Sequence, residues 1–164
     1  MRRDRLAAAA AAAICFGSVL YAVVWLQGQL LLEPCPLCVL ARVAFVTAGV
    51  VFLVAAAHGA GVTGQRVYAV LAILPLLFGI AISGRHVWLQ HLPAEQVPAC
   101  GPDLGYILDA FPPGQALSII LRGSGSCADV QWQFLGQSIP EWTLGLFVGL
   151  TVLALWLLIR PVRD

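Results

Sequence analysis

The sequence predicts an all-α membrane protein: a bundle of four transmembrane helices with a long extracytoplasmic loop that contains short interfacial helices. Of its 164 residues, 60% are apolar with glycine left out and 10% are charged, whereas about a quarter of the residues of a soluble domain are charged. Four apolar stretches, at about 6–26, 38–57, 67–83 and 142–159, approach the roughly 20 residues that cross a bilayer. Too few polar groups remain to cover a water-soluble surface, so we expect a single membrane domain over 1–164.

The arginines predict which side of the membrane each loop faces. All nine basic residues are arginine, and the side that would hold both termini carries six of them against two aspartates. The other side carries three arginines against six acidic residues. Because short loops rich in arginine stay in the cytoplasm, we expect cytoplasmic termini and extracytoplasmic loops at about 27–37 and 84–141. No further basic patch is present that would bind a nucleic acid.

The first span has a second interpretation. Met1 to Arg5 followed by an alanine run is typical of a secretory signal, which is removed from the mature protein. The uncharged stretch, however, continues to Leu26, longer than the apolar region of such signals, and has no clean small-residue cleavage site. An uncleaved membrane anchor is therefore the better interpretation.

Four of the five cysteines fall on the predicted extracytoplasmic side. Cys15 lies within the first span, Cys35 and Cys38 in the short loop, and Cys100 and Cys127 in the long one. Disulfides form and persist outside the cytoplasm. Four cysteines permit three pairings; separation along the chain favours 35–38 and 100–127, as two redox pairs or as two structural bridges.

The most specific motif is Cys35-Pro-Leu-Cys38, because a C-x-x-C pair can bridge and often contains one thiol of lowered pKa. Pro34 and Pro36 cannot both lie inside a helix, so they predict that the second span begins near Leu37. The helix dipole then favours a thiolate at Cys38. These positions are the candidate reactive sulfurs of the short loop.

Arg42 follows Cys38 by one helical turn and on the same face. A guanidinium at that depth is expensive and usually functional; it would stabilise a thiolate or a negative charge that develops on a ligand. Two plainer interpretations stay open. In the first, the cysteine pair is a static bridge and Arg42 only reaches to the interface. In the second, the pair binds structural zinc, but Cys100 and Cys127 lack a nearby second ligand and His58 falls on the opposite side, so we expect no metal.

The long loop is not a linker. Its two short apolar pieces, 103–111 and 116–121, cannot span the membrane and are expected to lie along its surface. Cys127 follows a flexible Gly-Ser-Gly-Ser run, which suits a sulfur that changes partners. At helical spacing His86 and Gln90 share a face just outside the third span, where Gln90 would donate a hydrogen bond to a carbonyl ligand or simply be solvated.

Taken together, these motifs resemble the bacterial disulfide bond formation protein B (DsbB) family. The likeness runs from about Leu30 to Gly145 and rests on the order and sidedness of the four loop cysteines. It includes the proline-flanked Cys-x-x-Cys with Arg42, the His86-x-x-x-Gln90 pair, the Gly123-to-Gly136 segment that contains Cys127, and Pro140-Glu-Trp142.

The resemblance implies a thiol:quinone oxidoreductase of the bacterial inner membrane. In this interpretation Cys35, Cys38, Cys100 and Cys127 are catalytic, and a periplasmic thioredoxin-like thiol oxidase (DsbA) attacks Cys100. Electrons then pass through a transient Cys35–Cys127 bridge, and Cys38 delivers them to the acceptor, ubiquinone or menaquinone, and so to the respiratory chain. The implied quinone-binding residues are Arg42, Gln90, Cys38 and His86.

Two alternatives from other classes remain. A vitamin K epoxide reductase-like protein is also a four-helix membrane enzyme with a C-x-x-C and a quinone, but that motif lies late in its chain, whereas here it precedes the second span. A non-catalytic four-span scaffold would use the same cysteines only as structural bridges.

Overall fold

The computed structural model describes residues 2–98 and 104–159 of the chain. It contains four helices long and apolar enough to cross a membrane: Asp4–Gln27, Pro36–His58, Val62–Gln90 and Ile139–Ile159. The predicted all-α, four-span fold is therefore confirmed. Cys100 lies outside the described residues.

The first two spans follow from local sequence. Helix α1 (Arg2–Tyr21) continues into a π-helical turn at Ala22–Gln27, a rare form that is frequent at functional sites. Helix α2 (Pro36–His58) begins with proline at its first position, where the missing N–H costs nothing. It ends at Gly59, whose φ of +59° is the left-handed conformation that glycine adopts readily.

Helix α3 (Val62–Gln90) is longer than the predicted span at 67–83. The charges at Arg66 and Arg85 end the apolar stretch but not the backbone hydrogen bonding, so the helix extends beyond the apolar region at both ends. As a result His86 and Gln90 are part of α3 at the helical spacing that the sequence predicted.

In its described residues, the long loop contains three short α-helices and a hairpin. The helices are α4 (Leu104–Ala110), α5 (Pro113–Arg122) and α6 (Gly125–Ala128); α4 and α5 coincide with the two predicted surface pieces. The hairpin, β1 (Gln133–Phe134) and β2 (Gln137–Ser138), pairs Gln133 with Ser138 and leads into the last helix. A single turn of 3₁₀ helix lies at Ala94–Gln96.

Helix α7 (Ile139–Ile159) begins with one of the two hydrogen bonds of a capping box. Glu141 accepts a hydrogen bond from the backbone N–H of Ser138, the arrangement that satisfies a free donor at a helix start. The Ser138 hydroxyl is then free to bond elsewhere, and it donates to Gln90 of α3.

Small residues set the packing between the helices. Helix α1 packs on α2, α2 on α3, and α3 on α7, as small side chains allow in membrane bundles. A Cβ at Gly49 would lie 3.0 Å from that of Cys15, and one at Gly79 would overlap the ring of Phe147. Phe147 in turn stacks on Phe45 with ring centroids 4.0 Å apart. Large apolar side chains on the outer faces are exposed, as expected for helices that contact lipid.

Candidate active site

Cys35 and Cys38 lie at the start of α2. Cys35 is the residue before the helix, in an extended conformation, and Cys38 belongs to the first turn. Their sulfurs are 3.1 Å apart, so a small shift would join them in a bond of about 2.05 Å. The proline between them fixes the helix start and therefore the position of both sulfurs.

Cys127 is brought to the same place by the loop. It lies in α6, which packs against α3, and its side chain is fully buried. Gly123, just before α6, has a φ of +78°, and a Cβ there would overlap the side chain of Leu89. Glycine at this point lets the loop approach α3 closely. A hydrogen bond from Arg85 to the Arg122 carbonyl, 3.0 Å long, holds the preceding helix end to α3 as well.

His86 completes a buried cluster. Its Nε2 lies 3.7 Å from the Cys35 sulfur. The Cys35 sulfur, a His86 ring nitrogen and the Cys127 sulfur all lie within 4.8 Å of one another. Three separate segments, the start of α2, the end of α3 and α6, thus meet at one point, which we call the sulfur cluster (Cys35, Cys38, His86 and Cys127).

The sulfurs of the cluster differ in acidity. A hydrogen bond from the Cys35 thiol is the largest effect on Cys127 and lowers the pKa of its thiol from 9.0 to about 6, against the opposing effect of burial. The same contact, together with the neighbouring Cys38 and burial, raises the pKa of Cys35. When the cluster is reduced at neutral pH, Cys127 is therefore a thiolate and Cys35 a thiol.

A large apolar cavity opens beside Cys38. Its volume is about 590 Å³, and it is bounded by all four long helices and by the hairpin segment. Cys38, Arg42 and His86 are among its lining residues. The Arg42 guanidinium donates a hydrogen bond to the Gln27 side chain at the end of the π-helical turn. Arg42 is thus fixed at the cavity by a neutral partner, which leaves its positive charge uncompensated by that contact.

Ser83 lines the same cavity one turn before His86. Its side chain is 2% exposed, and its hydroxyl oxygen has no hydrogen-bond partner among the described residues. A buried hydroxyl without a partner is unfavourable. Such an atom beside a cavity indicates a place where a polar group of a ligand would bind.

Gln90 lies on the other side of the cluster. It lines a small pocket of about 30 Å³ together with Cys35, Cys38 and His86, and its side-chain oxygen accepts the 2.7 Å hydrogen bond from Ser138. Gln90 is not among the residues that line the large cavity. Its role in quinone binding stays a prediction.

The structure thus brings together Cys35, Cys38, Cys127 and His86, with Arg42 one turn away. Sequence reasoning missed Gln27, Ser83 and Ser138 as parts of the site. A glutamine at the end of an otherwise apolar span, and a serine at the end of another, were the available signals. Trp132 and Trp142 also line the large cavity.

Four membrane-length helices with a buried cluster of sulfurs at one end define a multi-helix membrane protein equipped for thiol chemistry. The family model described as disulfide bond formation protein DsbB matches residues 4–157. A disulfide bond formation protein B from Nitrosococcus oceani is 58% identical over 125 residues, 76% of this chain and 74% of that one. The protein of the same name from Chromobacterium violaceum is 45% identical over 153 residues, 93% of this chain and 92% of its own length. The chain belongs to the DsbB family of disulfide bond formation proteins.

Proposed function

We propose that this protein is a thiol:quinone oxidoreductase that reoxidises a DsbA-like periplasmic dithiol protein and passes the electrons to a membrane quinone. The observation that carries the proposal is the row of three sulfurs, Cys127, Cys35 and Cys38, that ends at a large apolar cavity. Family membership supports the disulfide-forming part of the proposal.

The first step takes place at the loop. A thiolate of the partner protein attacks Cys100 of a Cys100–Cys127 disulfide, forms a mixed disulfide with it, and releases Cys127 as a thiolate. The Cys35 thiol, the largest effect on the pKa of Cys127, is absent while Cys35 is part of a disulfide. Backbone hydrogen bonds with Ser124 and Leu37 also lower this pKa and support the step, because a more acidic thiol leaves faster. The second thiol of the partner then displaces Cys100, so the partner leaves with a disulfide. Cys100 and Cys127 are left reduced and together hold the two electrons.

The second step transfers these electrons inward. The Cys127 thiolate attacks Cys35 of a Cys35–Cys38 disulfide; a Cys35–Cys127 bond forms, the Cys35–Cys38 bond breaks, and Cys38 leaves as a thiolate. Cys38 lies in the first turn of α2, where the helix N-terminus stabilises negative charge. The departing charge therefore forms at the sulfur that lines the cavity.

The cavity fits a quinone. It combines apolar walls, a fixed guanidinium and one buried hydroxyl without a partner, which match the isoprenoid-bearing ring and the two carbonyl oxygens of such a molecule. A quinone, when bound, accepts two electrons and two protons. Arg42 and Ser83 would hold its carbonyl oxygens, and His86 would hold a proton between the cavity and the sulfur cluster.

Cys100 then attacks Cys127, which re-forms the Cys100–Cys127 disulfide and releases Cys35 as a thiol. Cys35 and Cys38 form their disulfide again as two electrons and two protons pass to the quinone. Overall, one dithiol of the partner becomes a disulfide while one quinone becomes a quinol. The arginine distribution supports an orientation in which the sulfur cluster faces the periplasm and both termini face the cytoplasm. That orientation gives the loop access to a periplasmic partner and the cavity access to quinone in the bacterial inner membrane.

The test is a coupled assay with the purified full chain, a reduced thioredoxin-like dithiol protein and a soluble quinone analogue. We expect quinone absorbance to fall only when all three components are present, with one quinone consumed per partner disulfide formed. Cys15→Ser is the matched control, since Cys15 is buried in α1 against Gly49 and should leave the rate unchanged. Loss of quinone without partner oxidation, or none at all, would reject the proposal and favour the scaffold interpretation.

A further inference from the structure

The sulfur cluster also has the composition of a binding site for a soft metal ion. Two thiols and an imidazole, from Cys35, Cys127 and His86, place one ligand atom each within 4.8 Å of the others, and all three side chains are buried. Thiolate and imidazole are the ligands that Zn²⁺ and related ions prefer. The sequence alone concealed this set, because its members lie far apart along the chain.

The distance between Cys35 and His86 suits tetrahedral coordination. With bonds of about 2.3 Å to sulfur and about 2.0 Å to nitrogen, two ligand atoms on one tetrahedral zinc lie roughly 3.5 to 3.8 Å apart. The Cys35 sulfur and His86 Nε2 are 3.7 Å apart. The Cys38 sulfur, 3.1 Å from that of Cys35, is in reach as a fourth ligand.

There is also space and a route for an ion. The small pocket beside the cluster is lined by Cys35, Cys38 and His86 and has a volume of about 30 Å³, more than the roughly 10–15 Å³ needed to hold one water. Its lining includes Glu33 and Asp129, both exposed side chains. Two carboxylates at the rim would attract a divalent cation towards the sulfurs.

We propose that the reduced protein binds one soft divalent cation, of the Zn²⁺ or Cd²⁺ class, through Cys35, Cys127 and His86. Binding releases the protons of the ligating thiols and transfers no electrons. A disulfide at Cys35 removes a thiolate ligand, so oxidised protein does not bind. Metal binding and sulfur exchange thus compete for the same atoms, and a bound ion inhibits the exchange of Cys127 with Cys35.

The experiment uses the detergent-purified full chain, fully reduced under argon with a phosphine and titrated with Cd²⁺, whose bond to thiolate absorbs in the ultraviolet. We expect one Cd²⁺ per reduced chain and none per oxidised chain. Cys127→Ser and His86→Ala should each weaken binding by more than about 100-fold, since loss of mere outer-shell partners already costs 10–100-fold. Cys15→Ser is the control and should bind as the unchanged protein does.

A second measurement on the unchanged protein avoids variants that fold poorly. Bound Cd²⁺ should protect Cys35 and Cys127 from alkylation, followed by peptide mass, and leave Cys15 unaffected. The proposal is overturned if the reduced protein binds no ion, if affinity is the same without Cys127 and His86, or if protection is absent at Cys127. None of these outcomes depends on a quinone, so the result is independent of the proposed electron acceptor.

Discussion

The two spaces beside the sulfur cluster differ in size and in lining. Cys38 and His86 line both. The larger, about 590 Å³, has mostly apolar walls and contains Arg42 and Ser83. The smaller, about 30 Å³, contains Cys35, Gln90 and Asp129, while Glu33 lines both spaces. The difference supports the proposed division of labour, in which sulfur exchange takes place beside the small space and electrons leave through the large apolar cavity.

The strongest test of this division removes the sulfur that both spaces share. Cys38→Ser should abolish steady-state quinone reduction, because the electron pair can no longer reach the cavity. The same variant should still oxidise one equivalent of partner through the loop pair. Burst amplitude and turnover are measured in one stopped-flow experiment; repeated turnover by this variant would contradict the proposed order of sulfurs.

The next test moves Cys127 away from Cys35 while leaving the large cavity intact. Gly123→Ala adds a Cβ that overlaps Leu89, at a φ of +78° and ψ of 164° that side chains disfavour by about 1–3 kcal/mol. We expect α6 to move away from α3 and the yield of a Cys35–Cys127 bond to fall about tenfold. Yield is measured by thiol counting in chains that retain only these two cysteines.

Gly114→Ala is the matched control for that test. Gly114 belongs to the first turn of α5, and a Cβ there would meet nothing within 4 Å. An equal loss of the cross-link in both variants would show that the loop as a whole, and not the close approach at Gly123, determines the position of Cys127.

The large side is tested at Arg42. Arg42→Met should raise the quinone KM about 10- to 100-fold, the usual value of a hydrogen bond to a charged group, and leave partner binding unchanged. Gln27→Ala should give a smaller rise, because it releases the guanidinium without removing its charge. Arg66→Met is the control, since Arg66 lies at the other end of α3. An unchanged KM for Arg42→Met would contradict a role in quinone binding and favour the interpretation that Arg42 only reaches to the membrane interface.

The sequence predicted the four spans and several residues of the site, but not the length of α3 or the contacts between helices. Apolar stretches predicted four spans, and spacing placed Cys35, Cys38 and Arg42 on one helix start. The extent of α3 was missed because backbone hydrogen bonding continues past the apolar stretch that hydropathy detects. The contact of Arg42 with Gln27 joins two helices, and only their packing determines it.

A pH measurement tests how Cys35 controls Cys127. Since Cys127 has its pKa lowered to about 6 by the Cys35 thiol, its thiolate persists above that pH. Cys35→Ala removes the donor, so the pKa should rise towards 9.0 and alkylation at pH 7 should slow several-fold; the loss is limited because a more basic thiolate is also more nucleophilic. The rate of alkylation at Cys127 is followed by peptide mass in reduced protein from about pH 5 to about pH 9. This range includes both the lowered pKa of about 6 and the ordinary value of 9.0. Identical profiles would mean that another group lowers this pKa.

The smallest expected effect concerns the unpartnered hydroxyl of Ser83. If this hydroxyl bonds a quinone carbonyl, Ser83→Ala should weaken binding of a quinone analogue about 2- to 10-fold, the value of one neutral hydrogen bond. The variant should be no less stable without the analogue, because the hydroxyl has no partner to lose among the described residues. Ser18→Ala is the control: Ser18 lines the same cavity, but its hydroxyl already bonds the Ile14 carbonyl at 2.7 Å. Affinity is measured by tryptophan quenching, and equal losses in the two variants would assign the effect to cavity shape, with no specific bond at Ser83.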